Sequence, residues 1–381
     1  MSTRPVWAEI SRSKLLHNFG LLRQLAASAE LLAVVKANAY GHGAVACSRV
    51  LEDAGAHWLG VTDVTEAVAL RSSCPNAEIL ALSGLWPGEA EAARTHKLTP
   101  VVWERTHLEE AARLGSTMAV HLEIDTGMSR QGVRLEQLPA LLDQLRKTPS
   151  LRLEGVMTHF HSPEMQESAA NTEQMVRFVT ALEIIASRGL RPKWLHAGNS
   201  ASLLEPGADA LITLARKYGA RAMLRPGLAL YGYAPRFSGG SKPQAASELK
   251  PVLSWKTRVA SLRWIEPGET AGYCATFQAT RRTRLALIPV GYADGLNRLL
   301  SNKGSVLVRG QRASIAGRVS MDLTIVDVTD VPGVEIGDEV VLIGTQGTEN
   351  ITAYEHADIE ATIPYEVTCN INARVLRVMV D

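Results

Sequence analysis

The feature that most limits the possible folds is a regular alternation of patterns between residues 31 and 228. Short apolar runs alternate there with amphipathic stretches such as LEQLPALLDQLRK and TEQMVRFVTALEIIASRG. In chain order the apolar runs are LLAVVKA, HWLGVT, AEILALS, TPVVW, MAVHLEID, LRLEGVMTHF, KWLHAGN and ARAMLRP. Such an alternation predicts parallel strands joined by helical crossovers. The eight runs predict an α/β fold whose N-terminal domain is a (β/α)8 TIM barrel.

A doubly wound open sheet is the alternative arrangement of parallel strands. Such sheets carry a G-x-G-x-x-G fingerprint after the first strand, and this chain has none there. One further apolar run, RPVWAEI at residues 4–10, precedes the eight and is followed by a helical pattern. We expect this additional strand to pair outside the barrel.

The chain changes character near residue 240. The segment PRFSGGSKPQAASELKP is rich in Gly, Pro and Ser, which is typical of a linker or an exposed loop. Beyond it the sequence consists of strand and turn patterns such as RLALIPVGYADG and RASIAGRVSMDLTIVDV. We therefore predict a barrel domain at residues 1–240 and a mainly β domain at residues 241–381.

The composition argues against several classes of partner. The net charge of +1 does not indicate nucleic acid or an anionic membrane. No apolar run approaches the roughly 20 residues that span a bilayer, and the start MSTRPVWAEI lacks the apolar core of an export signal. The four cysteines are far apart and form no C-x-x-C pair, as expected of free thiols in a reducing compartment. We therefore expect a cytoplasmic protein.

Barrel enzymes carry their catalytic groups where the strands end at the C-terminal face, so polar residues at those ends are the candidates. They are Lys36 after the first run, Asp125 and Arg130 after the fifth, His159 and His161 after the sixth, His196, Asn199 and Ser200 after the seventh, and Arg225, Gly227 and Leu228 after the eighth. The H-x-H spacing after the sixth run also occurs in zinc sites. Further ligands in the order of a hydrolase are not evident, so we expect no metal.

Lys36 follows an apolar stretch, Leu32 to Val35. Most lysines in strands are solvated, but burial and neighbouring cations in a barrel mouth lower the pKa of a lysine. A lysine of this kind can form an imine with a carbonyl compound. The last two strands form the usual phosphate site of this fold, and backbone N–H groups at Gly227 and Leu228, with the Ser200 hydroxyl, suit a phosphate dianion. Together these features predict pyridoxal 5′-phosphate as the cofactor.

The blocks that surround these residues resemble those of a known family. They are AVVKANAYGHG, DTGMSRQG, THFH, NSA, LRPGLALYG, GYCATF, GYADG, GRVSMD and IPYE. All nine are similar to blocks of the alanine racemases, a fold type III family of pyridoxal-phosphate enzymes, and they occur in the same order. The resemblance covers nearly the whole chain, including the predicted β domain.

The resemblance implies a two-base reaction. Lys36 would hold the cofactor and exchange the proton on the D face of the amino acid, and Tyr273 of the partner subunit would serve the L face. Tyrosine has an ordinary pKa near 10, so Tyr273 needs an activating environment, which His159 and Arg225 would supply. Arg225 would face the pyridine nitrogen and, because arginine keeps its proton, would leave that nitrogen largely unprotonated.

Further roles follow from the resemblance. Arg130 and the backbone N–H of Met321 would bind the substrate carboxylate. The other cofactor-binding residues would be Tyr40, Asn199, Ser200, Gly227, Leu228 and Tyr365. Supporting positions would be Glu123, Asp322 and Tyr292, and the entrance channel would be lined by Glu164, Arg298 and Arg318 together with Tyr292.

Two positions depart from the family pattern. Glu123 stands where many relatives have a carbamylated lysine, and a glutamate supplies that negative charge beside Arg130 without modification. Ser320 stands where a cysteine is common before the Met-Asp pair. That residue is not a base, so we expect little effect.

The function that the resemblance implies is the interconversion of L-alanine and D-alanine, which supplies D-alanine for peptidoglycan, in a homodimer with shared active sites. The main alternative is a racemase of a larger amino acid such as serine, lysine or arginine. An amino-acid decarboxylase of similar architecture would have a glycine-rich phosphate loop and an acid at the place of Arg225. A pyridoxal-phosphate carrier would resemble the barrel alone and would not account for residues 241–381.

Overall fold

The computed structural model describes residues 4–165, 168–205, 208–240 and 242–381. The chain forms two compact units. The barrel unit comprises Leu15–Ala39 and Ala44–Lys250, and the β unit comprises Met1–Lys14, Tyr40–Gly43 and Pro251–Asp381. These bounds differ from the predicted division of the chain at residue 240. Two N-terminal segments belong to the β unit, and the barrel unit extends to Lys250.

Eight parallel strands close the barrel unit into a ring, in which each strand pairs with the next along the chain and the last pairs with the first. Strand β1 (Val6–Ser11) precedes them. The barrel strands are β2 (Glu30–Val34), β3 (Trp58–Val61), β4 (Glu78–Ala81), β5 (Leu98–Val102), β6 (Met118–Glu123), β7 (Leu151–Met157), β8 (Trp194–His196) and β9 (Arg221–Leu224). Each predicted apolar run overlaps one of them, so the TIM-like barrel predicted from the sequence is confirmed.

Helices occupy the crossovers between the barrel strands. The helices up to Lys250 are α1 (Arg12–Leu25), α2 (Lys36–Tyr40), α3 (Ala44–Asp53), α4 (Val64–Arg71), α5 (Ala90–Thr95), α6 (Arg105–Ala112), α7 (Leu138–Arg146), α8 (Ala170–Ser187), α9 (Ser200–Leu204), α10 (Ala208–Lys217) and α11 (Gln244–Glu248). In α7 the leucines at 138, 141, 142 and 145 are buried, which is the apolar face expected of an amphipathic helix. Among the residues that the structure describes, no helix is long and apolar enough to cross a membrane.

The β unit is built on one ten-stranded sheet, so the predicted mainly β C-terminal domain is confirmed. The further strands of this unit are β10 (Leu253–Arg258), β11 (Ser261–Ile265), β12 (Thr270–Ala271), β13 (Phe277–Gln278), β14 (Thr283–Ile288), β15 (Ser305–Val308), β16 (Gln311–Ile315), β17 (Thr324–Asp327), β18 (Glu339–Gln346), β19 (Glu349–Ile351) and β20 (Leu376–Val380). Of these, β12 and β13 form a separate two-stranded sheet. The helices of this unit are α12 (Ala353–Glu360) and α13 (Pro364–Cys369). Strand β1 pairs with β10 antiparallel and with β20 parallel, outside the barrel.

The interior of the barrel is not wholly apolar. His121 on β6 and His196 on β8 are fully buried, and between them runs β7, where a Cβ on Gly155 would lie 2.5 Å from the imidazole of His121. A glycine at this position therefore gives the His121 ring the space that it occupies. Polar side chains so deep in a barrel need partners, and these partners lead to the candidate site.

Candidate active site

Lys36 lies just beyond the carboxyl end of β2 and is half-buried. The turn that follows it, α2, is left-handed, because Ala37, Asn38, Ala39 and Tyr40 all have φ between 51° and 54°. This conformation costs roughly 1–2 kcal/mol per L-residue, and strain of this kind persists where the surrounding structure fixes it. The sequence predicted Lys36 at a strand end but not the handedness of its turn.

Arg225 is the centre of the polar network at the same end of the barrel. Its side chain is only 4% exposed. Nη2 donates to the Thr158 carbonyl at 2.7 Å and to His159 Nδ1 at 3.3 Å, and Nη1 donates to His196 Nδ1 at 3.3 Å. His196 Nε2 in turn lies 2.9 Å from His121 Nδ1. Four adjacent strands, β6 to β9, thus bring these groups together.

The network fixes the protonation of its imidazoles. Burial, followed by the positive charges of Arg225, Arg130 and Lys36, lowers the pKa of His159 to about 3. Burial also lowers the pKa of His121 to about 3 and holds that of His196 well below its ordinary range. These three rings are therefore neutral near pH 7.

The tautomers follow from the same network. Arginine is a donor at every nitrogen, so the Nδ1 atoms of His159 and His196 must accept, and each of these neutral rings carries its proton on Nε2. His196 Nε2 then donates to His121 Nδ1, which leaves the His121 proton on Nε2. That last atom is buried and has no hydrogen-bond partner in the described part of the chain. The Nε2–H of His159 is consequently a donor and not a base.

The predicted phosphate site is a compact cluster after β8 and β9. The Ser200 hydroxyl accepts from the backbone N–H groups of Gly227 and Ala229, at 3.0 and 3.2 Å. Asn199 caps α9, since its side-chain oxygen accepts from two backbone N–H groups of that helix. Leu228 begins a short 3-10 turn, Leu228–Tyr231. The structure thus brings Asn199, Ser200, Gly227 and Leu228 together at one corner.

Glu123, Arg130 and His159 line the same small cavity. Glu123 is buried, and its Oε2 accepts from Gln131 Nε2. Burial raises the pKa of Glu123, and the Gln131 hydrogen bond and the charge of Arg225 oppose that rise. Arg130 is exposed.

Glu164, predicted for the entrance channel, is half-buried in the barrel unit. Its backbone carbonyl accepts from the Ser238 N–H at 3.1 Å.

The remaining predicted residues lie in the β unit. Tyr40 and Tyr365 form an edge-on pair with ring centroids 6.4 Å apart. Tyr273, at the start of a 3-10 turn, is 69% exposed, and Met321 is 54% exposed. The exposed or half-buried polar candidates here are Tyr292, Arg298, Arg318 and Asp322.

A buried aspartate that sequence reasoning missed organises the loops around Met321. Asp294 is fully buried and accepts from Arg4, from Arg374 and from the backbone N–H of Gly291. Burial alone would raise its pKa, but the hydrogen bonds from Arg374 and Arg4 hold the pKa of Asp294 below its ordinary value. Backbone bonds from Tyr292 to Ser320 and from Ala293 to Met321, both 3.0 Å, tie this turn to the Met321 loop.

Sequence reasoning also missed His121, Thr158 and Gln174. Gln174 on α8 donates to Thr126 Oγ1 and to the His159 carbonyl, at 3.0 and 2.9 Å. The available signal was a polar residue inside an apolar or amphipathic run, as for His121 in MAVHLEID. No group of three or more His, Cys, Asp or Glu residues that could hold a metal ion occurs in the described ranges.

The fold and the barrel-end cluster define a class: enzymes with a closed (β/α)8 barrel, a lysine at the end of its first strand and an additional mainly β unit. The chain belongs to the alanine racemase family, as its sequence blocks predicted. The N-terminal domain of that family matches residues 10–235, and the C-terminal domain matches residues 252–379.

Individual relatives agree over their full length. The alanine racemase of Symbiobacterium thermophilum is 40% identical over 379 residues, which cover 98% of this chain and 97% of the relative. The crystal structure of alanine racemase from Bacillus anthracis with bound L-Ala-P has a TM-score of 0.90 at 33% identity, over 100% of this chain and 96% of that one. The alanine racemase from Bartonella henselae, solved with covalently bound pyridoxal phosphate, has a TM-score of 0.84 at 29% identity and 99% coverage of both chains.

The neutral histidines predict a specific dependence of stability on pH. Their folded pKa values lie below the ordinary 6.5, so between about pH 6.5 and pH 3 the unfolded chain binds protons that the folded chain does not. Stability therefore falls as the pH drops below about 6.5, by up to about 1.4 kcal/mol per pH unit for each histidine. The urea midpoint of His121→Gln should fall less steeply than that of the wild type. His57→Gln, at an exposed ring, is the control. Equal slopes of urea midpoint against pH for all three proteins would contradict the assignment of neutral rings to the network.

Proposed function

We propose that this chain interconverts L-alanine and D-alanine with pyridoxal 5′-phosphate held on Lys36, and that Tyr273 of a partner subunit provides the second base. The proposal rests mainly on the position of Lys36 at the end of the first barrel strand. There the positive charges of Lys36 and Arg225 both help to lower the pKa of His159. A racemase must remove a proton from one face and return one to the other, so it needs two groups of this kind. The product D-alanine would serve peptidoglycan synthesis.

The barrel end fits the cofactor. The described residues give Arg225 Nε no acceptor, which suits a role for Arg225 opposite a pyridine nitrogen. Ser200, Asn199 and the N–H groups of Gly227 and Leu228 would hold the phosphate end, with the phenols of Tyr40 and Tyr365. When bound, pyridoxal phosphate supplies the electron sink that makes the α-proton of an amino acid acidic.

Arg225 would moderate that sink. Burial lowers its pKa to about 10, and the negative charge of Glu123 opposes the decrease. The guanidinium therefore keeps its proton near pH 7 and would donate a hydrogen bond to the pyridine nitrogen, which as the acceptor would stay unprotonated. An unprotonated nitrogen would withdraw less electron density from the reacting carbon. Side reactions that need strong electron withdrawal would therefore be limited.

The same arginine would activate the second base. Because Arg225 occupies His159 Nδ1, the ring offers its Nε2–H as a donor. A hydrogen bond from this donor to the phenolic oxygen of Tyr273 would stabilise the tyrosinate. His159 would thus position and polarise Tyr273 without carrying a proton away.

Arg130 and the backbone N–H of Met321 would bind the substrate carboxylate, and Glu123 would place a negative charge beside Arg130 without a modified lysine. Tyr292 and Asp322 would support this arrangement. Glu164, Arg298 and Arg318 would line the entrance channel.

The strong exposure of Tyr273 and Met321 in the single chain supports a homodimer in which each β unit completes the partner's barrel. Two identical composite sites related by a twofold axis follow from such an arrangement.

The direct test of the proposed function combines a chiral assay with chemical labelling. The purified protein loaded with pyridoxal phosphate should racemise alanine, and borohydride reduction followed by peptide mapping should find the pyridoxyl label on Lys36. Lys36→Arg keeps the charge but should lose the label and at least roughly 10³-fold of the activity. A label on another lysine would overturn the assignment of Lys36. Serine, lysine and arginine in the same assay test the alternative of a larger substrate.

A subunit-mixing experiment tests the shared site. Lys36→Ala and Tyr273→Ala chains are each expected to be inactive. Their hybrid dimer should recover one intact site and hence about half of the wild-type activity, because one of its two sites receives both native residues. Homodimers of each variant are the controls, and an inactive hybrid would contradict the exchange of Tyr273 between subunits.

A further inference from the structure

Glu66 contacts the strained turn that follows Lys36. Its Oε1 accepts from the backbone N–H of Ala37 at 2.8 Å, and its Oε2 accepts from the backbone N–H of Thr62, also at 2.8 Å. Thr62 follows β3, the strand that pairs with β2. One carboxylate therefore joins the first residue of the left-handed turn to the end of the neighbouring barrel strand.

The position of Glu66 is itself fixed. It lies in the first turn of α4, where the Asp63 side chain caps the helix by accepting from the Glu66 N–H at 2.9 Å. From within the strained turn, Asn38 Oδ1 accepts from the N–H of Ala44, the first residue of α3, also at 2.9 Å. Two side-chain oxygens thus tie the turn to the residues around it, and of these two contacts the one from Glu66 is charge-assisted, the stronger kind of hydrogen bond.

The handedness of this turn matters for its two functional side chains. Lys36 and Tyr40 are four residues apart, the spacing at which side chains lie on the same side of a helical turn. A turn that relaxes toward ordinary backbone angles would change the direction of both side chains. Three of the four left-handed residues are alanine or tyrosine, which favour that relaxation because of their Cβ atoms.

We propose that Glu66 is a positioning residue for Lys36: its carboxylate holds the left-handed turn and thereby fixes the backbone from which the lysine reaches the cofactor. The inference rests on the proposed role of Lys36 in binding pyridoxal phosphate. In this role Glu66 would contact neither the substrate nor the reacting atoms. Its effect is therefore expected in how tightly the cofactor is retained.

The test is the rate at which pyridoxal phosphate is lost from the holoenzyme, followed by absorbance, in Glu66→Gln. The neutral amide has one acceptor oxygen and cannot hold both N–H groups, so the rate should rise by about tenfold, while borohydride still labels Lys36. Glu52→Gln is the control for loss of a carboxylate charge in the barrel unit, because Glu52 Oε1 alone accepts from the N–H groups of Asn76 and Ala77, and one amide oxygen can keep both. Its rate should stay within about twofold of the wild type.

A rescue distinguishes positioning from general stability. Glycine adopts positive φ without the cost that alanine has, so Ala37→Gly in the Glu66→Gln background should return the rate of cofactor loss to within about threefold of the wild type. An unchanged rate in folded Glu66→Gln, an equal rise in Glu52→Gln, or a failed rescue would each overturn the inference.

Two further outcomes are informative. If Glu66→Gln does not fold, Glu66→Asp takes its place, since the shorter carboxylate keeps the charge but cannot reach both N–H groups; an unchanged rate there overturns the inference. A wild-type protein whose pyridoxyl label is not on Lys36 would instead remove the proposed function, and this inference with it.

Discussion

The buried Arg225 guanidinium sets the arrangement of the barrel-end site through its hydrogen bonds. A cation that is 4% exposed is tolerated only if it is well paired, and here its acceptors are a backbone carbonyl and two imidazoles. The buried Glu123 carboxyl lies near enough to raise the pKa of Arg225 against the effect of burial. Because Arg225 always donates, each ring nitrogen that faces it must accept. The tautomers of His159 and His196 are therefore fixed before any ligand binds.

The barrel supplies these positions through its register. Met157 on β7 pairs with His196 on β8, and His196 pairs with Met223 on β9, so the residues that follow each strand emerge side by side. Parallel strands in a closed ring place all their carboxyl ends on one face. Lys36, at the end of the strand that closes the ring against β9, completes the set. The geometry of the site is therefore largely a consequence of strand order.

Sequence patterns were enough to predict the barrel, the mainly β unit and most of the candidate residues, because the runs of apolar residues and the motif blocks are local. They could not predict features that depend on distant partners. Asp294 meets Arg4 and Arg374, which lie 290 and 80 residues away, and β1 joins a sheet near the other end of the chain. The left-handed turn after Lys36 was missed for a similar reason, since Glu66 fixes it from another helix.

Arg225 holds His159 neutral with its proton on Nε2, so that the ring is available as a donor to the second base. Nitrogen-15 NMR of the histidine rings tests this most directly, with His159 assigned by comparison with His159→Gln. We expect a protonated Nε2 and an unprotonated Nδ1 in His159 at every pH between about 5 and 8, because these values lie well above its pKa of about 3. A His159 ring that is doubly protonated near pH 6, or one that carries its proton on Nδ1, would contradict it.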